Sequence, residues 1–421
     1  MIRLKNALIA LLVSGSCVTA HAAHTQLKMA TPCQNCHDSV VVGAHATLLC
    51  QDCHGADGDL FEPTTIDNKA HGCSGCHKQA EHIFDHAMST REAEQQFCQR
   101  SWSQADPQFF ERNCMGCHVT RCLDCHGEGH AINLPDVETC VSCHNGYFVG
   151  WDYSSRAPRE DSVRYQRGGQ NHGQYFLKMR PDVHFEVGMD CSDCHTMTSL
   201  QEGKIVARRC VDCHDPDPQV IEHSIDAHMY KLECVSCHAA WAAQEYGSFY
   251  IQTRNSSNRD YFRVKPVSDQ YVKSAYLKRQ DVPPLGLNER GLVAPIRPQF
   301  IAYYSEMKNN QPVGEENRLL AAQWKAFTPH TIRRGTVMCD GCHGNARRFM
   351  LEPLSRRIYR PDMDGLGLES FWRSVGQTVV NGAFYSPDQF TRMSQKTTEY
   401  KRKYVEKWQN FLKKDADSSA N

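Results

Sequence analysis

Residues 114–126 read Cys114-Met-Gly-Cys117-His118-Val-Thr-Arg-Cys122-Leu-Asp-Cys125-His126. This is Cys-x-x-Cys-His written twice, with three residues between the copies. Two thiols at i and i+3 lie on one side of a helical turn, where each can form a thioether to a haem vinyl group. The adjacent histidine then faces the iron as proximal ligand. A single copy could be accidental or half of a zinc site. Zinc sites, however, use cysteine pairs without a histidine fixed behind the second one. A thioredoxin-like pair comes singly, within a βαβ pattern.

Working outward, the same motif recurs along the chain. The copies are Cys33, Cys36 and His37; Cys50, Cys53 and His54; Cys73, Cys76 and His77; the two already quoted; Cys140, Cys143 and His144; Cys191, Cys194 and His195; Cys210, Cys213 and His214; Cys234, Cys237 and His238; and Cys339, Cys342 and His343. Ten copies commit twenty of the 22 cysteines and leave Cys17 and Cys98. The expected cofactor is haem c, about ten groups, covalently attached.

The 22 histidines extend the argument. Ten follow motif cysteines, and His21 falls in an N-terminal export signal. Eleven are left as candidates for the sixth iron position: His24, His45, His71, His82, His86, His130, His172, His184, His223, His228 and His330. Their near match to ten irons favours bis-histidine ligation, which gives low-potential carriers, whereas methionine would raise the potential. His82 with His86, His172 with His184, and His223 with His228 can each contain one non-ligand. The sequence does not say which histidine serves which haem.

Arg3 and Lys5, the apolar run Ala7 to Val13, and Ala20-His21-Ala22 form a secretory signal cleaved before Ala23. A lipid anchor at Cys17 is the competing reading. The apolar run is too short to span a bilayer, and no later run reaches that length. The mature chain is expected in the periplasm or at the cell surface, without a transmembrane segment. Formal net charge is -1, with no basic domain for nucleic acid.

Four regions follow: a signal peptide at 1–22, a nine-haem region at 23–238, a haem-free aromatic-rich insert at 239–338, and the tenth haem with a C-terminal amphipathic helix at 339–421. The nine-haem region gives roughly 23 residues to each haem, too little chain for an ordinary side-chain core. The haems must then supply the buried apolar surface. The expected fold is mostly α with extensive irregular loops and little β, organised by a chain of haems. Pro283-Pro284 and Pro295 to Pro298 divide the insert into irregular pieces. Trp151, Tyr153, Arg156, Arg159, Arg164, Tyr165 and Arg167 are read as partners of haem propionates, or alternatively as an oxyanion-binding surface. Ser386 and Pro387 start a helix whose Phe390, Met393, Tyr400, Tyr404, Trp408 and Phe411 share one face, and 415–421 is expected to be disordered.

Through its ten motifs, over residues 33–343, the chain resembles bacterial multihaem cytochromes c of metal-reducing organisms. Cys140-Val-Ser-Cys143-His144-Asn-Gly-Tyr147-Phe148-Val-Gly-Trp151 and Phe327-Thr-Pro-His330-Thr-Ile-Arg333-Arg334-Gly are similar to segments of cytochromes encoded beside porins, in extracellular electron-transfer or selenite/tellurite-reduction operons. The resemblance implies electron transport through the periplasm. The partners would be a periplasmic or inner-membrane donor and an outer-membrane porin-cytochrome or extracellular acceptor. Octahaem tetrathionate and sulfite reductases are similar in haem density, but this chain has ten motifs and no Cys-x-x-Cys-Lys variant. A reductase of a small oxyanion and a polymerising filament subunit stand as alternatives. Catalytic residues are unknown.

Overall fold

The computed structural model describes residues 42–43, 45–49, 73–78, 80–102, 110, 119–127, 130–144, 152–155, 167–171, 174–178, 182–203, 206–240, 247–254, 283–309, 311–314, 318–334, 337–353, 355 and 381–419. The signal segment, the first, second and fourth motifs, His24, His71 and His172 lie outside them. So do the side chains of Cys143 and of the arginine- and aromatic-rich stretch after it. The chain forms two compact units that interleave in sequence. One takes Met1–Arg91, His118–Thr139 and Thr196–Val206; the other takes Glu92–Cys117, Cys140–His195 and Ala207–Asn421.

Among the described residues helix outweighs strand, as the close spacing of the motifs led one to expect. In the first unit the helices are single turns at Cys73–Cys76, Ala87–Thr90, Leu123–His126 and Met197–Glu202, with a 3-10 turn at Ala80–Asp85. A short parallel pair joins β1 (Val42–Gly43) to β2 (Ala131–Ile132). Gly127 ends the Leu123–His126 turn at φ 103°, where a side chain would strike the Ala131 carbonyl.

The second unit contains most of the strand. β3 (Asp152–Ser155), β4 (Arg167–Asn171) and β5 (Gln174–Lys178) make a three-stranded antiparallel sheet with β5 central. A six-stranded mixed sheet takes five strands from the insert, β6 (Gly247–Arg254), β7 (Leu285–Asn288), β8 (Val293–Lys308), β9 (Gln311–Pro312) and β10 (Arg318–Ala326), and a sixth, β11 (Gly382–Phe384), from the C-terminal region. The described part of the insert is therefore built around β8 rather than divided by its prolines. Proline removes one ladder donor but keeps its carbonyl. Pro295 accepts from Phe327 N at 3.0 Å, and Pro298 sits at a register shift opposite Trp324.

This sheet supplies much of the described side-chain core. Phe300, Ile296 and Trp324 are fully buried. Phe97, from the helix Glu92–Trp102, meets Phe300 with ring centres 5.4 Å apart, and Phe384 meets Trp324 at 5.5 Å. Leu285, Val293 and Phe349 form a second cluster with Leu232, Phe390 and Met393.

The C-terminal expectation holds at its start and changes further on. Ser386 and Gln389 form a capping box, with Gln389 N donating to Ser386 Oγ at 3.2 Å and Ser386 N to Gln389 Oε1 at 2.8 Å. The helix stops at Met393. Thr397 accepts from Tyr400 N and starts a second helix, Thr398–Ser419, which runs into the stretch expected to be disordered. No helix among the described residues is long and apolar enough to cross a membrane.

Candidate haem centres

The seven motifs within the described residues share one local structure. In each, the histidine N–H donates to the carbonyl of the first cysteine: His77 to Cys73, His126 to Cys122, His144 to Cys140, His195 to Cys191, His214 to Cys210, His238 to Cys234 and His343 to Cys339, at 2.8–3.1 Å. This is one closed α-turn. Three motifs carry their own start signal. Asp124, Asp193 and Asp212, each just before the second cysteine, accept the backbone N–H of Thr120, Asp190 and Arg209 at 2.7–2.8 Å. The Arg209 N–H holds the Asp212 carboxyl below its ordinary pKa.

Five motif histidines face a second histidine. The ring centres of His45 and His77 lie 5.8 Å apart. Those of His184 and His214 are at 6.0 Å, His195 and His330 at 6.3 Å, His223 and His238 at 6.1 Å, and His228 and His343 at 6.1 Å. A metal bound at about 2.0 Å from each imidazole nitrogen separates two such rings by roughly 6 Å. The spacing thus fits an iron between each pair, with the haem supplying the other four donors. Among the described residues no group of three or more His, Cys, Asp or Glu forms a metal cage instead.

Hydrogen bonds on Nδ1 orient these rings. His238 donates to Arg333 O at 3.0 Å and His343 to Met393 O at 2.9 Å. His223 donates to Asp217 O and His228 to Glu222 O, both at 3.1 Å, and His184 to Asp182 Oδ1 at 2.9 Å. Each bond leaves Nε2 as the nitrogen that can bind iron. Burial lowers the pKa of His228 and of His330 to about 4, so both stay neutral with that lone pair available.

A family model described as Cytochrome c3 matches residues 183–250. The match supports a multihaem c-type cytochrome. It spans motifs seven to nine and the facing rings of His184, His223 and His228. No curated protein and no solved structure matches the chain.

Neighbouring motifs lie close through their cysteines. The thiols of Cys140 and Cys191 share a hydrogen bond, as do those of Cys210 and Cys234. Cys194 feels the charge of Cys213, and Cys237 that of Cys342. Burial and then Cys342 push the Cys237 thiol up to about 11. Motifs six to ten therefore follow one another in space in their sequence order, each using its first cysteine toward one neighbour and its second toward the other. In the first unit Cys73 meets Cys122, joining motifs three and five.

Of the other candidates, the exposed His82 has its Nδ1 3.7 Å from Asp85, and His86 starts the turn Ala87–Thr90. His130 is exposed beside β2, and His126 donates Nδ1–H to Asn133 O at 2.9 Å. Of the three pairs that the sequence left open, His223 and His228 each face a different motif histidine, and His184 faces His214 while His172 lies outside the described residues.

Two residues of the site were not anticipated. Asp182, buried, accepts from His184 N, His184 Nδ1 and Ile332 N at 2.8–2.9 Å. Its place two residues before a candidate ligand was the available signal. Arg348 is buried beside Cys237 and Cys342 and donates through Nη2 to Ser236 O at 2.6 Å. No motif announced it.

Proposed function

We propose that this cytochrome carries electrons along a line of about ten haems, from a periplasmic or inner-membrane donor toward an outer-membrane or extracellular acceptor. The ten motif histidines serve as proximal ligands, and the twenty motif cysteines as attachment points. His45, His330, His184, His223 and His228 complete the irons at His77, His195, His214, His238 and His343. The remaining irons draw on His24, His71, His82, His86, His130 and His172. The N-terminal segment directs export.

One observation carries the reading: five facing histidine pairs at the spacing of a six-coordinate iron. An iron held on both faces can pass electrons but offers no position to a substrate. The protein's part is then to hold ligands, set spacing and exclude water, while the haems carry the charge.

The test is reoxidation of the fully reduced holoprotein. A carrier is reoxidised rapidly by an outer-sphere acceptor such as ferric citrate and is left reduced by sulfite, selenite or nitrite. Rapid, stoichiometric reoxidation by one of these oxyanions, with its reduced product formed, contradicts the proposal.

A further inference from the structure

We propose that Asp182 and Arg348 give the haem line a direction, the first lowering the potential at motif eight and the second raising it at motifs nine and ten. The inference rests on the ligand pairs assigned above.

Asp182 supplies the first half. Its Oδ1 accepts the Nδ1–H of His184 at 2.9 Å, while Oδ2 takes the backbone N–H of Ile332 at 2.8 Å. The carboxylate is buried and points at the imidazole opposite His214. The rings facing His238 and His343 are differently served. His223 and His228 give their Nδ1 protons to neutral carbonyls of Asp217 and Glu222. A carboxylate on the far nitrogen makes an imidazole a stronger donor to metal. It also favours the ferric over the ferrous state, since ferric iron carries one more positive charge.

Arg348 supplies the opposite half. Its side chain is 4% exposed, and Nε and Nη1 have no hydrogen-bond partner. The thiols of Cys342 and Cys237, one from each of the last two motifs, act on it electrostatically. A thioether sulfur has no proton to lose, so neither sulfur can become a counter-anion after haem attachment. The guanidinium stays charged. A buried cation beside the attachment cysteines of both motifs would favour an added electron at each haem held there.

Motifs eight, nine and ten follow one another through Cys210–Cys234 and Cys237–Cys342. An electron entering at motif eight therefore moves downhill to motif ten. With haem bound, the centre held by His214 would lose the electron and the centre held by His343 would gain it, with no bond made or broken.

The test is an optical and paramagnetic-resonance redox titration of the holoprotein and of D182N, R348Q and R348K, with haem number fixed by intact mass. In D182N, one haem is expected to titrate higher by at least a tenfold change in its ferrous-to-ferric ratio at fixed potential, 59 mV for one electron. In R348Q, two haems are expected to titrate lower, and R348K is expected to retain the parent curve. Superimposable curves for D182N at full haem number overturn the inference, as does R348Q at full haem number with unchanged potentials. If R348Q attaches fewer haems, R348K decides that arm, and a departure of R348K from the parent curve overturns it. Loss of low-spin signal in the parent protein at these motifs would instead defeat the ligand assignment itself.

Discussion

Replacing His330 with alanine tests whether a residue from the far end of the insert completes the site at His195. The two ring centres lie 6.3 Å apart. Truncation to a methyl group leaves that face of the iron without a protein ligand, with His195 remaining on the other. On the proposed count of about ten haems, about one-tenth of the iron should turn high-spin. The surroundings should hold. Residues 328–334 are tied down by Ile332 N to Asp182, Val183 N to Ile332 O, Ala240 N to Thr331 O, Arg333 N to His238 O and the two-pronged Arg333–Glu186 pair. Each such bond contributes about 1 kcal/mol. Together they match the roughly 2–5 kcal/mol that a buried truncation costs. The assay is electron paramagnetic resonance of the oxidised protein at unchanged haem number, with and without free imidazole. The expected result is a high-spin signal of one haem that imidazole converts to low-spin. A fully low-spin spectrum without imidazole, at full haem number, refutes the pairing of His330 with His195.

Three further outcomes follow from the fold. Cys98 is 2% exposed, so a thiol reagent should reach it only after denaturation, and should spare the motif cysteine Cys114 even then; labelling of Cys114 contradicts this. Ser386→Ala removes one side of the capping box and should lower stability by about 1 kcal/mol in a thermal melt, with an unchanged visible spectrum. Trp324→Ala empties a fully buried position against Phe384 and should cost about 3–5 kcal/mol, read as a lower melting midpoint at full haem number.

The local turn of each motif was legible because it is set by consecutive residues. Five consecutive residues close one turn and set two thiols and an imidazole, and every described motif folds that way. The partner of each motif histidine was not legible, because a facing ring need not be near in sequence. His223 and His228 lie five residues apart yet face His238 and His343, while His330 reaches His195 across the whole insert. The sheet was missed for a different reason. Pro295 and Pro298 read as strand breakers, but one contributes its carbonyl to Phe327 and the other coincides with a register shift. The break before Thr398 was visible in principle, since Thr397 is a good N-cap residue inside an otherwise continuous apolar pattern. The charges that tune the haems were beyond pattern reading. Arg348 meets Cys237 and Cys342 only because the Ala346–Phe349 turn folds back against motif nine, where its Nη2 reaches Ser236 O.

The central claim is that the irons are held on both faces by histidine. Electron paramagnetic resonance of the oxidised holoprotein, with haem number counted by intact mass, tests it most directly. The account predicts low-spin ferric signals that integrate to all of about ten haems and do not change on adding sulfite, selenite or nitrite. A high-spin signal equal to one haem or more, shifting when one of these anions binds, would contradict it.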